Sequence, residues 1–280
     1  MARAAIGSLR SFGPLDASRL AWSFAALACN DTALFRAIAE GVAPKLAAFS
    51  PQDLANLAWS FASLAVEDER LFRALAEAAD AKLQDFSAQS LANIAWAFAA
   101  LAAIAPARRL RGLGRRASAL AGDFTPQGLS NLALAVAKLD LREVDALGEA
   151  LARSAQGRLR EFKPQELTNL AWAFASADLR DRGLFARIAS EAVAKSEGLN
   201  PQNLANLAWA FATLGLHHEG LFDAIAAKAQ AKLSSFPPQS IANLAWSFAK
   251  MTSCDGPCGH LLRGPMAEAA LDGMASFKPQ

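Results

Sequence analysis

The chain has 280 residues, 53% of them hydrophobic and 19% charged, with 28 basic against 26 acidic side chains and a formal net charge of +2. Hydrophobicity this high with so little net charge excludes an intrinsically disordered chain and a strongly basic nucleic-acid tail. Three cysteines cannot staple a fold of this length, so the sequence points to a reducing compartment without a disulfide framework. Tyrosine is absent beside six tryptophans and seventeen phenylalanines, a bias expected of one small template copied many times.

In chain order, residues 1–11 carry Arg3, Arg10 and no acid, a composition that fits the end of an organelle transit sequence. A degenerate first copy, FGPLDASRLAWSFAAL, begins at Phe12. FSPQDLANLAWSFASL follows from Phe49, FSAQSLANIAWAFAAL from Phe86 and FTPQGLSNLALAVAKL from Phe124. FKPQELTNLAWAFASA begins at Phe162, LNPQNLANLAWAFATL at Leu199 and FPPQSIANLAWSFAKM at Phe236. Trp22, Trp59, Trp96, Trp172, Trp209 and Trp246 hold one repeat position, which Leu134 fills in the fourth copy, at steps of 37 or 38 residues. A period of this size marks a stacked-repeat architecture. The array is expected over 12–277, with 278–280 opening a truncated further copy.

Each copy carries two helical patterns. In helix A, Ser50-Pro51-Gln52-Asp53 has the order of a capping box with proline in the first turn. At 100° per residue, Leu54, Leu57, Ala58, Phe61, Leu64 and Ala65 fall on one apolar face. After the polar loop Glu67-Asp68-Glu69-Arg70, Leu71, Phe72, Leu75, Ala79, Leu83 and Phe86 form the stripe of helix B. A single hairpin cannot bury both stripes, so stability must come from stacking. The fold class is all-α, an α-solenoid of about seven helical hairpins.

Several motifs carry no chemistry. Residues 87–107 are uncharged and mostly apolar, but they combine a loop, a helix and Pro106, and equivalent segments are charged, so no membrane span is expected. Gly112-Leu113-Gly114-Arg115-Arg116-Ala117 imitates a dinucleotide fingerprint without a preceding strand. Cys254, Cys258 and His260 lack a fourth ligand and zinc-like spacing. His217 and His218 have no nucleophile at a repeated position. The chain reads as a non-enzyme without metal or cofactor.

The repeated polar positions are the candidate site. On the helix A wheel, Gln52, Asn56, Ser60, Ser63 and Asp53 fall opposite the apolar stripe. Asparagine recurs as Asn56, Asn93, Asn131, Asn169, Asn206 and Asn243. The position after glutamine varies through Asp53, Ser90, Gly128, Glu166, Asn203 and Ser240. A second position varies through Ser63, Ala100, Lys138, Ser176, Thr213 and Lys250. Fixed residues holding geometry and variable ones selecting a ligand would match single-stranded RNA read one base per repeat. The asparagines read equally as an internal ladder between neighbouring copies. The tryptophan favours the role of an inter-helix wedge over that of a base-stacking platform.

Cations recur late in helix B as Lys45, Lys82, Arg158, Lys195 and Lys232, and the third copy adds Arg108, Arg109, Arg111, Arg115 and Arg116. They are candidate phosphate contacts. A favourable interaction with the helix C-terminal dipole explains the recurrence as well.

The unit PQ-x-LANLAWAFA-x-L…LF…A…KL-x-F resembles the octotricopeptide and heptatricopeptide repeats of organelle RNA-binding proteins. It is similar also to the repeat region of the FAST-kinase-related, RAP-domain RNA regulators. The resemblance implies a solenoid in the mitochondrial matrix, or alternatively the plastid stroma. There it would bind particular transcripts and act on their processing, stability or translation, with proteins of organelle ribonucleoprotein complexes as further partners. No RAP-like nuclease segment is visible, so cleavage is not implied. A protein–protein interaction scaffold is the alternative reading, favoured by the near-neutral charge.

Overall fold

A computed structural model describes residues 7, 11–101, 112–139 and 144–251. Arg108, Arg109 and Arg111, the Cys254–Cys258–His260 cluster and residues 278–280 lie outside the described residues, as does most of the N-terminal extension. Helices account for the described elements, and no strand occurs among them. In chain order they are α1 (Pro14–Ala26), α2 (Thr32–Val42), α3 (Pro51–Ser63), α4 (Glu69–Ala81), α5 (Ala88–Ala100), α6 (Leu113–Ala119) and α7 (Pro126–Lys138). Then follow α8 (Val144–Gln156), α9 (Pro164–Ser176), α10 (Arg182–Ala194), α11 (Pro201–Leu214), α12 (Glu219–Lys232) and α13 (Pro238–Met251). Odd numbers through α5, then α7, α9, α11 and α13, are the A helices. Short 3₁₀ turns such as Leu83–Asp85 and Leu159–Glu161 end the B helices. The fold is an α-solenoid.

The chain forms two compact units, Met1–Leu151 and Ala152–Gln280. In the first, α1 packs on α3, α3 on α5 and α5 on α7; in the second, α9 packs on α11 and α11 on α13. These A-to-A contacts are the most extensive between helices, because each A helix presents buried alanines such as Ala55, Ala58 and Ala62 that let backbones approach closely. The B helices add larger side chains to the core. Phe35 of α2 meets Phe61 of α3 edge-on at 4.9 Å, and Phe72 of α4 meets Phe98 of α5 at 5.2 Å. Phe185–Phe211 and Phe222–Phe248 repeat the pairing in the second unit. A B helix is thereby keyed to the A helix of the following copy, in a geometry the ring quadrupoles favour.

Helix starts follow the local chemistry. Ser50 Oγ accepts from the Asp53 N–H at 3.2 Å, and the Asp53 carboxylate accepts from the Ser50 N–H at 3.4 Å, completing the capping box. Asp31, Asp68 and Asp181 cap the B helices α2, α4 and α10. Helix ends fall earlier than the wheel expected. Helix α3 stops at Ser63, so Leu64 is only half-buried, and Ala65 is exposed with φ 52°. Ala28 and Asp178 turn the chain with the same left-handed φ at equivalent places, and Gly215 does so at 66°.

Candidate nucleic-acid interface

Along each A helix, glutamine at position i, asparagine at i+4, tryptophan at i+7 and the second variable residue at i+11 fall within about 60° of one another on the wheel. The six glutamines from Gln52 to Gln239 are all exposed, and the six asparagines are all half-buried. None of these side-chain amides forms a hydrogen bond among the described residues. The internal amide ladder expected as one reading is therefore not formed there. Ser63, Lys138, Ser176 and Lys250 are exposed at the far end of the stripe, and Thr213 is half-buried.

The tryptophans share this stripe instead of filling the core. Trp22 and Trp246 are 49% and 46% exposed, while Trp59, Trp96, Trp172 and Trp209 are half-buried. The wedge role is filled by the phenylalanine two residues further on, which is fully buried as Phe61, Phe98, Phe174, Phe211 and Phe248. The rings of Trp172 and Trp209 are stacked with centroids 6.2 Å apart and planes 28° from parallel. Lys250 Nζ lies 4.9 Å from the centre of the Trp246 ring, a cation–π contact.

The variable position after glutamine lies elsewhere. Asp53, Ser90, Asn203 and Ser240 are buried, as is Gly128, and Glu166 is half-buried. Asp53, Glu166 and Asn203 accept the N-cap backbone N–H of their own helices, and Asp53 also accepts a 2.7 Å bond from Ser18 Oγ of α1. Ser90 Oγ is paired with Ser87 Oγ at 3.1 Å. Ser240 is the exception, for its N–H donates to the Pro237 carbonyl, and its hydroxyl has no partner among the described residues. Ser60, placed by the wheel on the polar face, is fully buried and donates to the Asn56 carbonyl at 2.6 Å. The cause is the neighbouring A helix, which covers this flank and leaves only the narrower stripe open.

Among the described helix B cations, Lys45, Lys82, Lys195, Arg116 and Arg158 are engaged within the protein. Lys45 Nζ donates to the Phe12 carbonyl at 2.9 Å, and Lys82 Nζ donates to the carbonyls of Ala47 and Phe49, both at 2.7 Å. Lys195 Nζ donates to those of Arg160 and Phe162 at 2.8 and 2.7 Å. In the third copy Arg116 takes this place, donating to the Phe86 carbonyl at 3.1 Å. Arg158 grips Glu161; that bond raises the Arg158 pKa and draws the Glu161 carboxyl below its ordinary value. Lys232 is exposed and supplies only charge, beside Glu197, whose carboxyl is lowered chiefly by its bond to Lys228. Arg115 is exposed on α6.

One cleft opens on the stripe between α11 and α13. It has a volume of about 250 Å³ and is lined by Gln202, Asn206, Pro237, Gln239, Ser240 and Asn243. A second cavity of similar size lies among Arg182, Phe185, Phe211, His217 and His218, where His218 Nδ1 caps α12 by accepting from the Leu221 N–H. Among the described residues no group of His, Cys, Asp and Glu could hold a metal, and no helix is long and apolar enough to cross a membrane.

These features define a helical-repeat protein whose A helices present a neutral row of amides and indoles. The pattern of the RNA-editing substrate-binding complex 6 protein family, RESC6, matches residues 100–275, and the chain belongs to that family. No curated protein matches the chain. The match and the likeness carried by the repeat unit agree on an RNA-associated helical-repeat protein.

Proposed function

We propose that this protein binds single-stranded RNA as a non-enzymatic component of an organellar RNA-editing or RNA-processing assembly, in the mitochondrial matrix. The observation that carries the reading is the open stripe of Gln–Asn–Trp, complete on α3, α5, α9, α11 and α13, with its amides unbonded by the protein. Amides supply adjacent donors and acceptors for base edges, and indole faces supply stacking surface for unpaired bases. The family's name, taken from an RNA-editing substrate-binding complex, supports the same ligand class. The resemblance to octotricopeptide-type repeats supports the organelle and a role in transcript processing, stability or translation. In this reading the variable residues that select bases are Ser63, Lys138, Ser176 and Lys250, the Thr213 hydroxyl at the same position being buried, and the buried capping residues act by holding the helices.

Selection from a random single-stranded RNA pool, beside a DNA pool at two salt concentrations, tests the proposal. Enrichment of a short RNA motif is expected, with a shallow salt dependence. Each phosphate neutralised on a single strand adds roughly −0.7 to the slope of log K against log salt, and Lys45, Lys82 and Lys195 are bonded to carbonyls. No enrichment by a folded, helical preparation would favour a protein-interaction scaffold, the second reading, which the net charge of +2 supports.

A further inference from the structure

The cleft between α11 and α13 differs from the rest of the stripe. Its helix α13 follows Pro237, which has no side-chain acceptor, a lack shared by Gly13 before α1 and Lys163 before α9, where α3, α5, α7 and α11 start from Ser50, Ser87, Thr125 and Asn200. The Ser240 hydroxyl is thus released from the cap that holds Asp53, Ser90 and Asn203, and it faces the cavity with Gln202, Asn206, Gln239 and Asn243. Four carboxamides and a hydroxyl from two helices converge on one space, and no charged residue lines it. At about 250 Å³ it is smaller than the ~300–1,000 Å³ of pockets for drug-sized ligands. That volume suits a single planar heterocycle. Trp209 and Trp246 stand one turn further along the same two helices, where each offers indole face.

We propose that this cleft is the binding site for one unpaired adenine base of an RNA strand, an assignment that rests on the RNA-binding reading above. Each carboxamide presents a donor and an acceptor side by side, the pairing that asparagine and glutamine make with adenine N6 and N7. Guanine is read chiefly by arginine or lysine and cytosine by aspartate or glutamate, and the cleft supplies neither. A hydroxyl serves either partner and completes the edge. Lys250, whose ammonium lies over the Trp246 ring and 3.5 Å from the Thr213 carbonyl, places one cation at the end of this stretch of stripe.

The test uses the full 280-residue chain and fluorescence anisotropy with unstructured oligoribonucleotides of one length, each carrying a single adenosine, guanosine, cytidine or uridine within an abasic background. Wild-type protein is expected to bind the adenosine strand tightest. Asn206→Asp and Asn243→Asp, which keep side-chain size, are expected to remove about five- to hundredfold of that affinity, the loss of one or more bidentate contacts. Gln239→Ala, at an exposed position, gives the same result without touching the packed interior, and circular dichroism confirms that each variant is folded. Equal binding of all four strands, preference for another base, or affinity unchanged in all three variants would overturn the adenine site while leaving RNA binding in place. Failure of the wild-type chain to bind these strands and the random pool alike would overturn the RNA-binding reading itself.

Discussion

The ammonium of Lys82, at the end of α4, lies 2.7 Å from the carbonyl of Phe49, which enters α3 thirty-three residues earlier. Lys45 and Lys195 make the same reach to Phe12 and Phe162. Three such bonds at one sequence separation make a repeated stitch, which ties the ends of α2, α4 and α10 to carbonyls at the entry to their own repeats. A cation at a helix C-terminus also meets a favourable dipole. The recurrence of lysine in the sequence therefore follows from carbonyl satisfaction.

Lys82→Met keeps the aliphatic stem and removes the donor. It is expected to destabilise the protein by about 1 kcal/mol, because hydrogen bonds to charged groups contribute that much even when partly solvated. The thermal midpoint should fall by roughly 2–4 °C, while RNA affinity stays at the wild-type value. A loss of affinity with an unchanged midpoint would return the lysine to a phosphate-contact role.

Asp53→Ala removes both the capping box of α3 and the bond from Ser18 of α1. The Ser50 cap on the residue 53 N–H remains and the Ser18 hydroxyl keeps its 3.1 Å bond to the Leu15 carbonyl, so the loss is that of the carboxylate's own hydrogen bonds, about 1–2 kcal/mol. Chemical denaturation should show a loss of this size. Base preference in a pool selection should not change, since the residue is buried at the helix start.

Ala65 adopts a left-handed backbone with φ 52° at a place where Gly215 serves the sixth copy. An L-residue there costs roughly 1–2 kcal/mol, against about 0.5–1 kcal/mol of extra chain entropy that glycine loses on folding. Ala65→Gly is therefore expected to stabilise the protein by about 0.5–1 kcal/mol, read as a raised denaturation midpoint. An unchanged or lowered midpoint would show that the turn is not strained.

Trp246 and Phe248 are two residues apart on α13, and their substitutions should separate binding from stability. Trp246 is 46% exposed and Phe248 fully buried. Trp246→Ala is expected to cost about 1–3 kcal/mol of single-stranded RNA affinity, the worth of one stacked base, with little effect on unfolding. Phe248→Ala should instead cost about 3–5 kcal/mol of stability. Tryptophan fluorescence during RNA titration reads the first effect, and denaturation the second.

The solenoid, the helix starts and the buried phenylalanines were legible in the sequence because they are local or periodic properties. Ser50 through Asp53 name a capping box wherever they occur before an apolar run, and a 37-residue period can bury its stripes only by stacking. Accessibility of the polar residues was decided by the tertiary structure. A helix wheel treats α3 as a cylinder with one covered side, but α1 and α5 also cover its flanks, which encloses Asp53 and Ser60, leaves Asn56 and Trp59 half-buried and leaves Gln52 and Ser63 exposed. The tryptophan, expected as an inter-helix wedge, lies on the stripe for the same reason, since size and hydrophobicity do not say whether an aromatic residue at the edge of a face is covered by a neighbouring copy. The lysine stitches escaped notice because their acceptors are backbone carbonyls thirty-three residues away, and carbonyls carry no signature in a sequence.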